Sequence, residues 1–125
     1  MMKLSHVCIL TRDMEGLKDF YAKALDRQAV SHGEEYAEFP TDGGATISLF
    51  DADAMEKFSK ENVYSASNES VLLEIEVEDL DAEYARIEGL DAEIVQTPAD
   101  YPWGVRSFSF RDPDGNVVVF YKRLA

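Results

Sequence analysis

Leu4-Ser5-His6-Val7-Cys8-Ile9-Leu10-Thr11-Arg12-Asp13 is an apolar run that closes on a threonine, a base and an acid. Val71-Leu72-Leu73-Glu74-Ile75-Glu76-Val77-Glu78-Asp79 repeats it, at an offset of 66 that sets Leu72 on His6. In both runs the aliphatic and β-branched residues read as a strand, and the closing aspartate as the N-cap of a helix. A repeat this long exceeds a solenoid unit and suits a strand-helix-strand module made twice. Two such modules facing each other would enclose a cavity, and its lining would decide the function.

Working outward, Asp13 opens a helix over 14–25 whose Met14, Leu17, Phe20, Tyr21, Ala24 and Leu25 recur at helical spacing as a core stripe. Strands follow near 27–31, 35–39 and 45–50, the last two joined by a turn at Thr41-Asp42-Gly43-Gly44. A short surface helix is expected between Asp51 and Lys60, and the polar run Ser65-Ala66-Ser67-Asn68-Glu69-Ser70 reads as a connector. The second pass has a strand over 71–77, Asp79 as N-cap, a helix over 80–88 carrying Leu80, Tyr84 and Ile87, and a strand near 92–96. A hairpin of strands over 105–111 and 117–122 closes the chain around Asp112-Pro113-Asp114-Gly115-Asn116. Proline presets one turn dihedral there and glycine allows the left-handed one, so the pentapeptide is a turn. It lacks the glycine position and terminal glutamate of a calcium loop. The expected organisation is one α+β domain over 1–125, with a first βαβββ module over 1–56, a connector over 57–70 and a second module over 71–125.

At 125 residues the chain is long enough to bury a core without disulfides or a structural metal. Its formal charge of -13, from 25 acidic and 12 basic residues, argues against nucleic acid or an anionic membrane as partner. That charge either draws in a cationic ligand or simply keeps the chain soluble. The single cysteine, Cys8, can form no internal disulfide, which fits a reducing compartment; it reads as a small core or cavity-wall side chain rather than a reactive thiol. The N-terminal apolar run is too short for a signal peptide or a membrane span, so the expected location is the cytoplasm. Asn68-Glu69-Ser70 matches a glycosylation acceptor that is idle without secretion.

The stretch Pro102-Trp103-Gly104-Val105-Arg106-Ser107-Phe108-Ser109-Phe110-Arg111-Asp112-Pro113-Asp114-Gly115-Asn116-Val117-Val118-Val119-Phe120 resembles the closing hairpin of bleomycin-resistance proteins. These belong to the vicinal oxygen chelate superfamily, with glyoxalase I, extradiol dioxygenases and fosfomycin-resistance enzymes, and the resemblance covers essentially the whole chain. It implies the glyoxalase/bleomycin resistance fold, two βαβββ modules forming a curved mixed sheet around a cavity. In the superfamily's enzymes four positions carry metal ligands, and carried across they fall on His6, Ser48, Leu72 and Val119. Ser48 and Val119 each stand fourth after a turn glycine, Gly44 and Gly115. A catalytic divalent ion needs about three nitrogen, anionic oxygen or thiolate ligands, and one histidine does not meet that need. The expectation is therefore no metal and no cofactor, with His6 structural or in contact with a ligand. A shifted site of His6, Glu74 and another acid would keep a metal reading open. Glu74 faces either the cavity or a solvated edge, and Glu76 a solvated edge.

By the same resemblance Trp103 would be a stacking wall for planar groups, with Tyr36 a second aromatic candidate. Arg106 is expected to face a ligand, and Arg111 to brace the turn acids. The ligand-binding set is thus Trp103, Arg106, Tyr36, His6, Ser48 and Glu74. The leading expectation is a metal-independent protein that sequesters a planar, cationic organic molecule without making or breaking a bond. The alternatives are a divalent-metal lyase or isomerase of the glyoxalase I type, and a non-catalytic scaffold or regulatory subunit. The resemblance implies a homodimer, and kinship with antibiotic-resistance proteins does not name the ligand.

Overall fold

Asp13 and Asp79 do the work their positions suggest: each turns its carboxylate onto the backbone N–H three residues ahead, Gly16 and Ala82, and so starts a helix. A computed structural model of the chain describes residues 1–57 and 71–125. The far end of the surface helix, the polar connector and the Asn68-Glu69-Ser70 triplet lie outside the described residues. The chain divides into two compact units, Met1–Ala66 and Ser67–Ala125.

The first unit runs β1 (His6–Thr11), α1 (Met14–Ala24), β2 (Val30–His32), β3 (Tyr36–Phe39), β4 (Thr46–Asp51) and a short α2 (Ala52–Met55). Its sheet has the order β1-β4-β3-β2, with β1 parallel to β4 and the other pairs antiparallel. The second unit runs β5 (Leu72–Glu76), α3 (Leu80–Glu88), β6 (Glu93–Tyr101), β7 (Val105–Arg111) and β8 (Val117–Arg123), in the matching order β5-β8-β7-β6. The fold is α+β, built from two βαβββ passes.

Each helix covers one face of its own sheet. Leu17, Tyr21 and Ala24 of α1 are buried with Ala37, Phe39, Ile47 and Leu49, and the Tyr21 and Phe39 rings lie 6.3 Å apart. In the second unit Leu80 and Ile87 are buried with Phe108, Phe110, Val118 and Phe120. The three phenylalanine rings sit 5.2 to 5.9 Å apart, with Tyr84 on Phe108 at 5.2 Å. Each such side chain taken from water is worth about 1.5–3 kcal/mol, so these clusters, rather than helix propensity, hold α1 and α3 in place. Strand alternation sends the intervening residues to the other, helix-free face.

Three departures from the sequence expectations have local causes. β2 starts at Val30 rather than 27 because α1 ends with Asp26 at φ 52, and Arg27 N–H closes back on the Ala22 carbonyl at 3.0 Å. β6 runs on to Tyr101 because it is an edge strand: its pairing with β7 shifts register between Ile94 and Gln96 and again between Gln96 and Ala99. Pro98 falls in the second shift, where no ladder donor is required. Cys8 is exposed rather than buried, because it lies with His6 on the helix-free side of β1, an edge strand of its sheet.

Candidate functional site

On the helix-free face of the first sheet the register sets Cys8, Ser48 and Glu38 side by side across β1, β4 and β3. His6 and His32 share that face from the two edge strands, His32 paired with Tyr36. Both histidines of the chain converge on one carboxylate. His6 Nε2 lies 3.0 Å from one oxygen of Glu38, and His32 Nε2 lies 3.0 Å from the other. An ionised carboxylate only accepts, so each Nε2 carries a proton and donates, and in the neutral ring Nδ1 is then the acceptor. His6 Nδ1 is met by the Ser5 hydroxyl at 3.0 Å. The hydrogen bond from His6, reinforced by His32 and opposed by burial, holds the Glu38 carboxyl below its ordinary value.

Around this cluster Ser48 is only 1% exposed, and Tyr36 packs against the Phe50 and His32 rings, each 5.7 Å away. The sequence reading named His6, Ser48 and Tyr36, and the structure brings all three to one face. It missed Glu38 and His32. The available signal was the β2–β3 hairpin register, which sets His32 opposite Tyr36 and so diagonal to Glu38, but the expected strand ended at 31.

In the second unit Glu74 pairs with Val119, and Val119 with Ser109, on the helix-free face. Glu74 is exposed, and Glu76 is exposed with Arg123 Nε 3.3 Å from its carboxylate. Trp103 stands at the tip between β6 and β7, 72% exposed, with its ring stacked on Tyr101 at 4.9 Å and 17°. Gly104 makes that turn possible at φ 87, where a side chain would be strained. Arg106 differs from expectation. It alternates with Val105 and Ser107, which puts it on the helix side of β7 with Phe108 and Phe110. There its guanidinium pairs with Asp81 at 3.1 Å and Asp100 at 3.0 Å, and these hydrogen bonds raise its pKa above the ordinary value, Asp81 contributing most. Arg111 braces the closing turn, donating to the Gly115 carbonyl at 2.8 Å, and pairs with Glu93 at 3.0 Å.

In each unit the positions where the resembling enzymes carry metal ligands lie on the helix-free face of that unit's own sheet, and the two registers agree in detail. Cys8 opposes Ser48 across β1 and β4 as Glu74 opposes Val119 across β5 and β8, so His6 and Leu72 are equivalent, as are Ser48 and Val119. Leucine and valine have no donor atom, Ser48 brings a neutral hydroxyl, and Nε2 of His6 is engaged with Glu38. That set does not fit a catalytic divalent ion. Within its own unit the acid beside His6 is Glu38, 3.0 Å from Nε2. Among the described residues no group of three or more His, Cys, Asp or Glu side chains is arranged to hold a metal ion, and no helix is long and apolar enough to cross a membrane.

The family model of the Glyoxalase/Bleomycin resistance protein/Dioxygenase superfamily matches residues 3–120. The uncharacterised protein YraH of Bacillus subtilis (strain 168) is 32% identical over 130 residues, covering 98% of this chain and all of that one. Among solved structures, a glyoxalase/bleomycin resistance protein/dioxygenase from Nocardioides superposes with a TM-score of 0.83 at 25% identity, over 99% of this chain and 85% of that one. A family enzyme from Burkholderia phytofirmans PsJN superposes with a TM-score of 0.85 at 21% identity, over 98% and 100%. The latter likeness is one of fold.

Proposed function

The chain belongs to the Glyoxalase/Bleomycin resistance protein/Dioxygenase superfamily, and from that premise we propose that it is a metal-independent member that binds a planar, cationic organic molecule. One observation carries the reading: at the family's ligand positions Ser48, Leu72 and Val119 supply neither the donors nor the negative charge a divalent ion requires. What Leu72 and Val119 offer instead is apolar surface, which suits an organic ligand.

Trp103 would supply the stacking face, already backed by Tyr101; the remaining candidate contacts are Glu74 in its own unit and Tyr36, His6 and Ser48 in the first. The net charge of -13 favours a cation over an anion by long-range attraction, and an aromatic face adds to that preference. Arg106 enters this reading as a brace, because Asp81 and Asp100 already occupy its donors. The protein is proposed to act as a homodimer and to release its ligand unchanged.

Trp103 is the only tryptophan, so its emission reports on the site directly. Titration of the full chain with N-methylacridinium and N-methylquinolinium, against neutral and anionic ring systems of the same shape, is expected to give a saturable change for the cations that survives chelation. Elemental analysis of the same sample is expected to find no stoichiometric metal. One tightly held zinc, nickel or iron per chain would replace this reading with a metal-dependent lyase or isomerase. A flat response to the whole panel would replace it with a scaffold.

A further inference from the structure

We propose that Ser5, His6 and Glu38 form a nucleophile, base and orienting carboxylate through which Ser5 accepts an acyl group from an activated ester. This goes beyond ligand binding and stands independently of it. Ser5 Oγ lies 3.0 Å from His6 Nδ1 and His6 Nε2 3.0 Å from Glu38, so in the neutral imidazole that donates from Nε2 to the carboxylate, Nδ1 accepts from the serine hydroxyl. Ser5 and His6 are adjacent in sequence, so their contact alone would mean little. The carboxylate is what makes it more than a neighbour contact. Glu38 comes from 32 residues away, crosses β4 to reach the ring, and fixes the tautomer whose Nδ1 is free to take a proton.

The arrangement is held at both ends. His32 secures the second oxygen of Glu38 at 3.0 Å, so that carboxylate is oriented from two sides. The Ser5 carbonyl accepts from Thr46 N–H at 2.8 Å, which ties the serine to β4 just ahead of β1. Ser5 itself is exposed, so an acyl donor can reach its oxygen. Glu38 remains ionised at neutral pH, which suits it to stabilise an imidazolium forming on His6.

In the step itself Ser5 Oγ forms a bond to the ester carbonyl carbon as its proton passes to His6 Nδ1. The tetrahedral adduct collapses, the bond from carbon to the leaving oxygen breaks, and the proton passes from His6 to that oxygen. Water then retraces the path to release the acid and restore the serine. Because the chain activates the nucleophile rather than the carbonyl, the donor must bring a good leaving group, an aryl ester rather than an amide.

The test uses p-nitrophenyl acetate hydrolysis by the full chain, with a fluorophosphonate probe mapped by mass spectrometry. The expected result is one label per chain, on Ser5, with hydrolysis and labelling falling by at least about tenfold in Ser5→Ala and His6→Gln. Glu38 is a positioning residue, so Glu38→Gln is expected to lower kcat with KM unchanged, and Glu38→Asp to recover part of the rate. Cys8→Ser is expected to keep the parent rate, excluding the thiol as the acceptor. Circular dichroism melts matching the parent would show that Ser5→Ala, a change at an exposed residue, leaves the fold intact. Label on another residue, an unchanged rate in Ser5→Ala, or Glu38→Gln as fast as the parent would each overturn the proposal.

Discussion

Arg106 on β7 is joined to Asp81, the second residue of α3, by a 3.1 Å ion pair that ties the strand to the start of the helix. Asp100 on β6 completes the clamp from the other side at 3.0 Å. The two acids are 66% and 60% exposed, so solvent screens both pairs and neither contributes much to stability. Arg106→Ala is therefore expected to shift the midpoint of a urea titration only slightly. It should leave the Trp103 response to planar cations unchanged. A lost response with an intact fold would return Arg106 to the ligand.

Gly16 sits in the first turn of α1 with its N–H 3.1 Å from the Asp13 carboxylate. A Cβ added there would meet an oxygen of that carboxylate at 2.2 Å, so alanine must push the cap away. Alanine gains about 1 kcal/mol of helix propensity over glycine, but losing an aspartate cap costs about 1 kcal/mol and forcing the two together costs more. Gly16→Ala is expected to be neutral or destabilising. In an Asp13→Ala background the same change is expected to stabilise, and chemical denaturation of the four proteins in the cycle measures that reversal.

Asp112 is 4% exposed and accepts from Asp114 N–H at 2.9 Å, Asn116 N–H at 2.8 Å and the Asn116 amide at 2.8 Å. Removing the carboxylate strands two backbone donors in the turn between β7 and β8. Asp112→Ala is expected to cost about 2–3 kcal/mol, with Asp112→Asn intermediate, since hydrogen bonds to a charged group are the stronger class. A loss below about 0.5 kcal/mol would mean that water replaces the carboxylate without penalty.

Glu38 has a folded-state pKa below its ordinary 4.5, chiefly through the hydrogen bond from His6. A depressed carboxylate contributes stability that is fully present above 4.5 and fades as pH falls through the lower folded-state value. The gap in denaturation midpoint between the parent and Glu38→Gln should therefore narrow as pH falls below 4.5. A gap that stays constant down to pH 3 would count against the two-histidine clamp.

Much of this molecule was legible as a string. The two apolar runs with their closing aspartates placed β1, α1, β5 and α3 to within a few residues, because caps and periodicity are local properties. The long hairpin from Val105 to Arg123 was equally plain, since a proline-glycine turn between two apolar strands has few alternatives. The edges were harder. β6 contains Pro98 and was cut short, because an edge strand with two register shifts tolerates what a central strand would not.

By itself the sequence determined that one plan is executed twice, and which residues stand at positions 6, 48, 72 and 119. Only the tertiary structure decided that Glu38 gathers both histidines, that Ser5 ends that chain of hydrogen bonds, and that Arg106 turns toward the helix. The reason is strand register: a shift of one residue sends a side chain to the opposite face, and pairing across β1, β4, β3 and β2 brings together residues that nothing local relates.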